Sequence, residues 1–142
     1  MTDSLARRSL RQEAVPEAIE AVHAELDAIW SDAPFVPEMD RMRFTTAVIE
    51  AATNVVQHAV PETARPVELG VEVTVTPAAL TAGVSAYGAV KPGDVDGGAA
   101  MPGEEAESGR GLALIRALVT TVTFRREDGT NTWVLTQTPL EG

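Results

Sequence analysis

The chain contains no cysteine and few aromatic residues, which make up 4% of its 142 residues. The lack of cysteine excludes disulfides and thiolate metal sites, and it fits a reducing compartment, so we expect a cytoplasmic protein. No run approaches the roughly 18 consecutive apolar residues of a membrane-spanning helix. The polar, basic stretch from Met1 to Leu10 does not resemble a secretory signal. We therefore expect no membrane partner.

Basic residues are also scarce, since 11 Lys and Arg stand against 21 Asp and Glu, which gives a net charge of −10. Nucleic-acid phosphates require a basic surface, so we expect no direct nucleic-acid partner. An acidic surface is compatible with a basic protein partner, or it simply keeps the protein soluble. The length and the hydrophobic content of 44% suit a single domain that covers residues 1–142.

Apolar residues recur at helical spacing in three segments. The first helix is predicted from Pro16 to about residue 33, and Pro34 follows its end. The second is predicted from residue 37 to about residue 59, where Pro61 stops it. The third covers residues 109–120.

The remaining apolar residues alternate with polar ones, which is the pattern of half-buried strands. It covers residues 67–76, residues 80–86 and a final hairpin that turns at Asp128-Gly129. A short first strand is expected at about residues 5–12. Alternation leaves one face of a sheet in water and the other under helices. The sequence therefore predicts an α+β fold, a two-layer α/β sandwich whose mixed or antiparallel sheet carries its helices on one face.

Residues 88–108 show no periodicity and are rich in glycine and proline. A loop of that length inside a small domain is typical of a functional lid or of a disordered tether. We interpret this segment as a flexible lid.

Glu50, Asn54 and His58 are spaced four residues apart on the second predicted helix. Four residues turn a helix by about 400°, so the three side chains follow one edge of it, at the rim of the apolar stripe. An amide oxygen such as that of Asn54 is a suitable ligand for Mg²⁺. Glu50 is placed to act as a general base. The alternative is a solvated helix flank, with His58 bonded to the terminal carbonyls of its helix.

The segment Ser108-Gly109-Arg110-Gly111-Leu112 opens the third predicted helix. Its glycines allow close approach of the backbone, Ser108 can cap the helix, and Arg110 adds a positive charge. The N–H groups of a helix N-terminus bind phosphate oxygens. The alternative is a flexible loop that meets a helix. Read with the Glu50–Asn54 pair, the segment predicts a site for Mg²⁺ and the phosphates of a nucleotide.

The order of these motifs resembles that of the GHKL ATPases, which have the Bergerat ATP-binding fold, and within them the anti-sigma-factor serine/threonine kinases. Glu50 to Ala59 looks like the N box of that family, in which the Glu acts as base and the Asn binds Mg²⁺. Residues 108–115 look like the second glycine box, which closes over the phosphates. Asp128-Gly129-Thr130 resembles the usual ending, in which the Thr lies near the adenine pocket.

This resemblance implies a function, two cofactors and two partners. The protein would bind ATP with Mg²⁺, phosphorylate a serine of an anti-anti-sigma protein of the STAS type, and bind a sigma factor in the alternative state. The family also tends to form homodimers. These expectations rest on resemblance alone.

The sequence departs from the family at the first glycine box, which reads Ala86-Tyr87-Gly88 where the family has Asp-x-Gly. The Asp accepts a hydrogen bond from the adenine amino group, so its loss removes about 1.5–3 kcal/mol of binding energy. Tyr87 would either stack on the adenine or fill the site. The alternative hypothesis is therefore a degenerate GHKL-fold binding module with weak or no ATP binding.

Two further interpretations fit less well. The catalytic domain of a sensor histidine kinase would be accompanied by a helical dimerisation segment with a phosphoacceptor His, and the sequence shows no such segment. A structural domain whose motifs match by coincidence would require several weak signals to fall in the correct order by chance.

Overall fold

The computed structural model describes residues 6–92, 94–95, 98–99 and 110–138, and these ranges contain three helices and seven strands. In order they are β1 (Ala6–Glu13), α1 (Pro16–Asp32), α2 (Glu38–His58), β2 (Glu68–Val75), β3 (Leu80–Tyr87), β4 (Asp94–Val95), β5 (Gly98–Ala99), α3 (Arg110–Leu118), β6 (Thr121–Glu127) and β7 (Thr130–Gln137). The three predicted helices are confirmed, and each begins and ends within two residues of its predicted limits.

Five strands form one sheet in the order β1-β2-β3-β7-β6, and every neighbouring pair is antiparallel. The predicted sheet is therefore antiparallel rather than mixed. The β6–β7 hairpin turns at Asp128-Gly129, where both residues have positive φ angles of 53° and 75°, as a two-residue hairpin turn requires. Within the described residues, the strands β4 and β5 form a separate two-stranded sheet, in the segment for which the sequence shows no periodicity.

All three helices lie on one face of the sheet, so the predicted two-layer α+β sandwich is confirmed. The helix α1 contacts β1 and β2, α2 lies over β2, β3 and β7, and α3 packs beside α2 and against β6. Alternate residues of the strands point to this helix face and join one buried cluster with the apolar stripes of the helices. The largest fully buried side chains of the cluster are Trp133, Phe44, Leu26, Ile29, Leu69, Leu80, Ile115 and Leu135.

The edge strand β1 is fastened to α1 by an arginine. Arg8 points to the helix face and donates hydrogen bonds to Glu25 of α1 at 2.6 Å and to Asp32 at 3.3 Å. The hydrogen bond to Glu25, followed by the charge of that carboxylate, raises the pKa of the Arg8 guanidinium above its ordinary value. None of the helices in the described ranges is long and apolar enough to cross a membrane.

The other face of the sheet, the open face, carries a stacked aromatic side chain. The ring of Tyr87 lies over Gly70, where an added Cβ atom would come within 2.5 Å of the ring. The guanidinium of Arg11 lies 3.6 Å from the centre of the same ring and is bonded to Glu68 at 2.7 Å. The absence of a side chain at position 70 therefore makes room for the ring.

We expect the variant Gly70→Ala to have a free energy of unfolding about 1–2 kcal/mol lower than that of the wild type. The new methyl group would displace the Tyr87 ring and break its contact with Arg11. Gly83 is the matched control, since a Cβ atom there would meet its nearest neighbour at 3.9 Å, an ordinary contact. Urea titrations of the two alanine variants measure the difference. Equal stability of the two variants would contradict the account of the Tyr87 ring.

Candidate functional site

The predicted pair on α2 is in contact in the structure. The amide nitrogen Nδ2 of Asn54 donates to the Glu50 main-chain oxygen at 3.0 Å and to the Glu50 carboxylate oxygen Oε2 at 3.3 Å. Both partners are acceptors, which fixes the amide orientation, because only the nitrogen of an amide donates. Asn54 is 9% exposed, while Glu50 is half-buried. The pair lies at the rim of the helix, as predicted from its spacing.

This orientation leaves the amide oxygen Oδ1 of Asn54 facing away from Glu50. Both of the amide's hydrogen bonds within the described residues run through Nδ2. His58 is half-buried and is the last residue of α2, one turn beyond Asn54. The rim of α2 thus offers a carboxylate, an amide oxygen and an imidazole in successive turns.

The end of β3 faces this helix. Ala86 is fully buried in the same cluster as Ala51, Ala52 and Val55 of α2. Gly88 follows with a φ angle of 75°, a left-handed conformation that favours glycine. The structure therefore places the strand that carries Ala86 in contact with the helix that carries Glu50 and Asn54.

Thr130 does not join the residues on α2. In the antiparallel register Thr130 pairs with Tyr87, and Asn131 pairs with Ala86. Neighbouring residues of a strand point to opposite faces, so Asn131, which is 1% exposed, occupies the helix face and Thr130 the open face. The structure thus places Thr130 on the face away from α2 and Asn131 on the face that the helices cover. Asn131, Trp133 and Leu135 are spaced two residues apart along the strand. The apolar Trp133 and Leu135 therefore indicate, from the sequence, that Asn131 shares their buried face.

Tyr87 also lies outside the region beside α2. Its ring rests on Gly70 on the open face, the face opposite to Ala86 and the helices. The cause is again alternation along β3, since Ala86 faces the helices and its neighbours face the other side.

Sequence reasoning missed Arg126 and Asn131. They form a polar network on the helix face, where β6 ends and β7 begins. Arg126 Nη1 donates to Asn131 Oδ1 at 2.6 Å and to the Ala89 carbonyl oxygen at 2.9 Å, and Nη2 donates to Glu62 at 2.8 Å. Asn131 Nδ2 donates to the Val90 carbonyl oxygen at 2.9 Å. The other partners in this network, Glu62, Ala89 and Val90, are distant in sequence from both residues. No local sequence motif therefore reveals it.

The second glycine box is described only in part. Arg110 and Gly111 open α3, Leu112 is half-buried against the core, and α3 lies alongside α2. Ser108 and Gly109 lie outside the described residues, as does most of the predicted lid at residues 88–108. The described part of α3 thus lies in the same helix layer as Glu50 and Asn54.

A separate cleft of about 730 Å³ lies on the open face. Its charged lining consists of two guanidinium groups and three carboxylates, from Arg11, Arg125, Glu72, Glu127 and Asp128. An excess of carboxylates disfavours a triphosphate, so this cleft is not a candidate nucleotide site.

The donor set on α2 fits one kind of metal site. Within the described residues, no three His, Cys, Asp or Glu side chains converge on a point where a metal ion could be held. A magnesium ion typically takes one or two protein ligands and completes its shell with phosphate oxygens and water. The amide oxygen of Asn54, which is not used in the bonds to Glu50, suits such a shared site.

The comparison with protein families identifies the family to which this fold belongs. The model of the histidine kinase-like ATPase domain matches residues 12–137. The chain belongs to this family. No protein with curated annotation shows a match to it.

Among solved structures, the fold is similar to the crystal structure of the RsbU and RsbW domains of Rv1364c from Mycobacterium tuberculosis. The two superpose with a TM-score of 0.69 at 18% sequence identity, over 96% of this chain and 33% of the other. At this identity the likeness establishes the fold, which is of the GHKL, or Bergerat, type. The chain spans one third of the length of that structure.

Proposed function

We propose that this protein is an ATP-binding regulator of the anti-sigma-factor type, a serine kinase that phosphorylates an anti-anti-sigma partner and sequesters a sigma factor in the alternative state. The observation that carries the proposal is the Glu50–Asn54 contact on α2, in a domain of the histidine kinase-like ATPase family. A helix rim with no ligand to bind has no evident need for both groups.

Each group has a distinct role in the proposed reaction. Asn54 would hold the metal through its amide oxygen, and Glu50 accepts the proton of the attacking serine hydroxyl. The serine oxygen bonds to the γ-phosphorus of ATP, the bond from that phosphorus to the β–γ bridging oxygen breaks, and ADP leaves. Bound Mg²⁺ would neutralise part of the phosphate charge. His58, Gly88 and the segment from Ser108 to Leu112 complete the proposed nucleotide site, and the whole chain is one domain in this proposal.

The proposal is tested by incubating the protein with labelled Mg·ATP and a STAS-type protein that carries an acceptor serine. We expect the labelled phosphoryl group to be transferred to this serine. Replacement of the serine by alanine should abolish the transfer. If the partner binds and the regulator binds ATP, but the partner is never labelled, the proposed kinase activity is overturned. The proposed nucleotide binding would then still hold. Size-exclusion chromatography of the same protein tests the homodimer that the family resemblance implies.

A second candidate function is a binding module that keeps the fold and binds nucleotide weakly or not at all. Ala86 favours it, because its methyl group cannot accept a hydrogen bond from an adenine amino group. The side chain of Asn131, which pairs with Ala86 on the adjacent strand, is already bonded to Arg126 and to the Val90 carbonyl oxygen.

This second candidate leads to a prediction for the variant Ala86→Asp. Hydrogen bonds to charged groups contribute about 1.5–3 kcal/mol, so the variant should bind ATP roughly ten- to a hundredfold more tightly. Ser85→Asp is the matched control, because it adds the same charge one residue away on the open face. Isothermal calorimetry compares the two. An equal response of both variants, or no gain with Asp at position 86, would show that position 86 does not set the affinity.

A further inference from the structure

Arg126 joins three segments that are distant in sequence. One is the hairpin β6–β7, which supplies Arg126 itself and Asn131. The second is the exit segment, residues 88–90, which follows β3 and whose Ala89 carbonyl accepts from Arg126 at 2.9 Å. The third is the connection after α2, where Glu62 accepts from Arg126 at 2.8 Å.

The exit segment is also held by backbone bonds. Glu62 N–H donates to the Gly88 oxygen at 2.8 Å, and Val90 N–H donates to the Val60 oxygen at 2.9 Å. Gly88 N–H donates to the Gly129 oxygen at 3.0 Å. The exit segment thus lies between the connection that follows α2 and the hairpin turn, and Arg126 bonds to both sides of it.

The bonds of Arg126 differ in strength. Its pair with Glu62 is 43% exposed on the glutamate side, and exposed pairs contribute little. The bonds to Asn131 and to the Ala89 carbonyl lie among residues that are 1% exposed. Charge-assisted bonds in such surroundings are the stronger ones, and an unsatisfied group left there is costly. The guanidinium therefore holds the exit segment mainly through its buried side.

We propose that Arg126 is a positioning residue of the nucleotide site. It fixes the exit segment 88–90 against the connection that follows α2, so that the region beside Ala86 is formed before a nucleotide binds. This inference rests on the proposed function for the identity of the ligand. The contacts of Arg126 stand apart from it, since they join only residues of this chain.

The test compares three variants of the full chain. Arg126→Met keeps an apolar stem and removes every bond, while Arg126→Lys keeps the charge but lacks the forked geometry. Arg125→Met is the matched control, because the neighbouring residue points to the open face. Hydrogen exchange at the amides of Glu62, Gly88 and Val90 is measured together with the affinity for Mg·ATP.

For Arg126→Met we expect these three amides to exchange about tenfold faster, while the amides in the middle of β3 keep their protection. The affinity for Mg·ATP should fall about tenfold, and Arg126→Lys should resemble Arg126→Met rather than the wild type. Full recovery by lysine, unchanged exchange, or faster exchange with unchanged affinity would each overturn the positioning role. Loss of protection throughout the sheet would also overturn it, by indicating general destabilisation. A wild-type protein that binds no nucleotide would overturn the proposed function and the role in binding, whereas the exchange pattern alone would still decide whether Arg126 holds the segment.

Discussion

Replacing Glu50 by glutamine should reduce phosphoryl transfer to the partner serine about 10²- to 10⁴-fold, the usual contribution of a general base. Glutamine has nearly the same shape, and its side-chain oxygen can still accept the 3.3 Å bond from Asn54. It cannot take up the proton of the serine hydroxyl at neutral pH. The affinity for Mg·ATP should therefore change little, and the loss should fall on the turnover rate.

The matched control for this variant is Glu38→Gln. It removes one carboxylate from the exposed first turn of the same helix, about 18 Å away along the axis at 1.5 Å per residue. Single-turnover measurements with labelled ATP and the STAS-type partner separate the transfer step from binding. Transfer by Glu50→Gln at the rate of the Glu38→Gln control would mean that another group accepts the proton.

Replacing Asn54 by alanine should lower the affinity for Mg·ATP roughly ten- to a hundredfold, because a buried ligand for the metal is removed. The variant also loses both hydrogen bonds to Glu50, so its unfolding is measured alongside. Gln57→Ala is the control, since Gln57 is exposed on the same helix. Calorimetry with Mg²⁺ and with chelator distinguishes the outcomes. Equal affinities of Asn54→Ala and the control would remove Asn54 from the site.

Much of the fold follows from periodicity and from turn residues. The apolar stripe of α2 and the alternation of β2 and β3 determine which faces are buried. Proline at the start of α1 and the Asp128-Gly129 turn determine where elements begin and reverse. These signals are local, and the structure agrees with them to within two residues at the ends of the helices.

The site was less predictable, for two physical reasons. The placement of Thr130 and Tyr87 depends on strand parity, and a shift of one residue moves a side chain to the other face of the sheet. The apolar residues Trp133 and Leu135 indicate which residues of β7 face the helices, and Asn131 is one of them. The family motif, in contrast, singles out Thr130. The role of Arg126 depends on contacts with residues 62, 89 and 131, which the linear order of the chain does not reveal.

The central claim is that a magnesium-bound nucleotide sits against the Asn54 side of α2. The most direct measurement is a calorimetric titration of the wild-type protein with ATP, once with Mg²⁺ and once with the metal chelated. We expect saturable binding at one site per chain with Mg²⁺, and binding at least about tenfold weaker without it. Absence of binding under both conditions, or equal binding under both, would contradict the account.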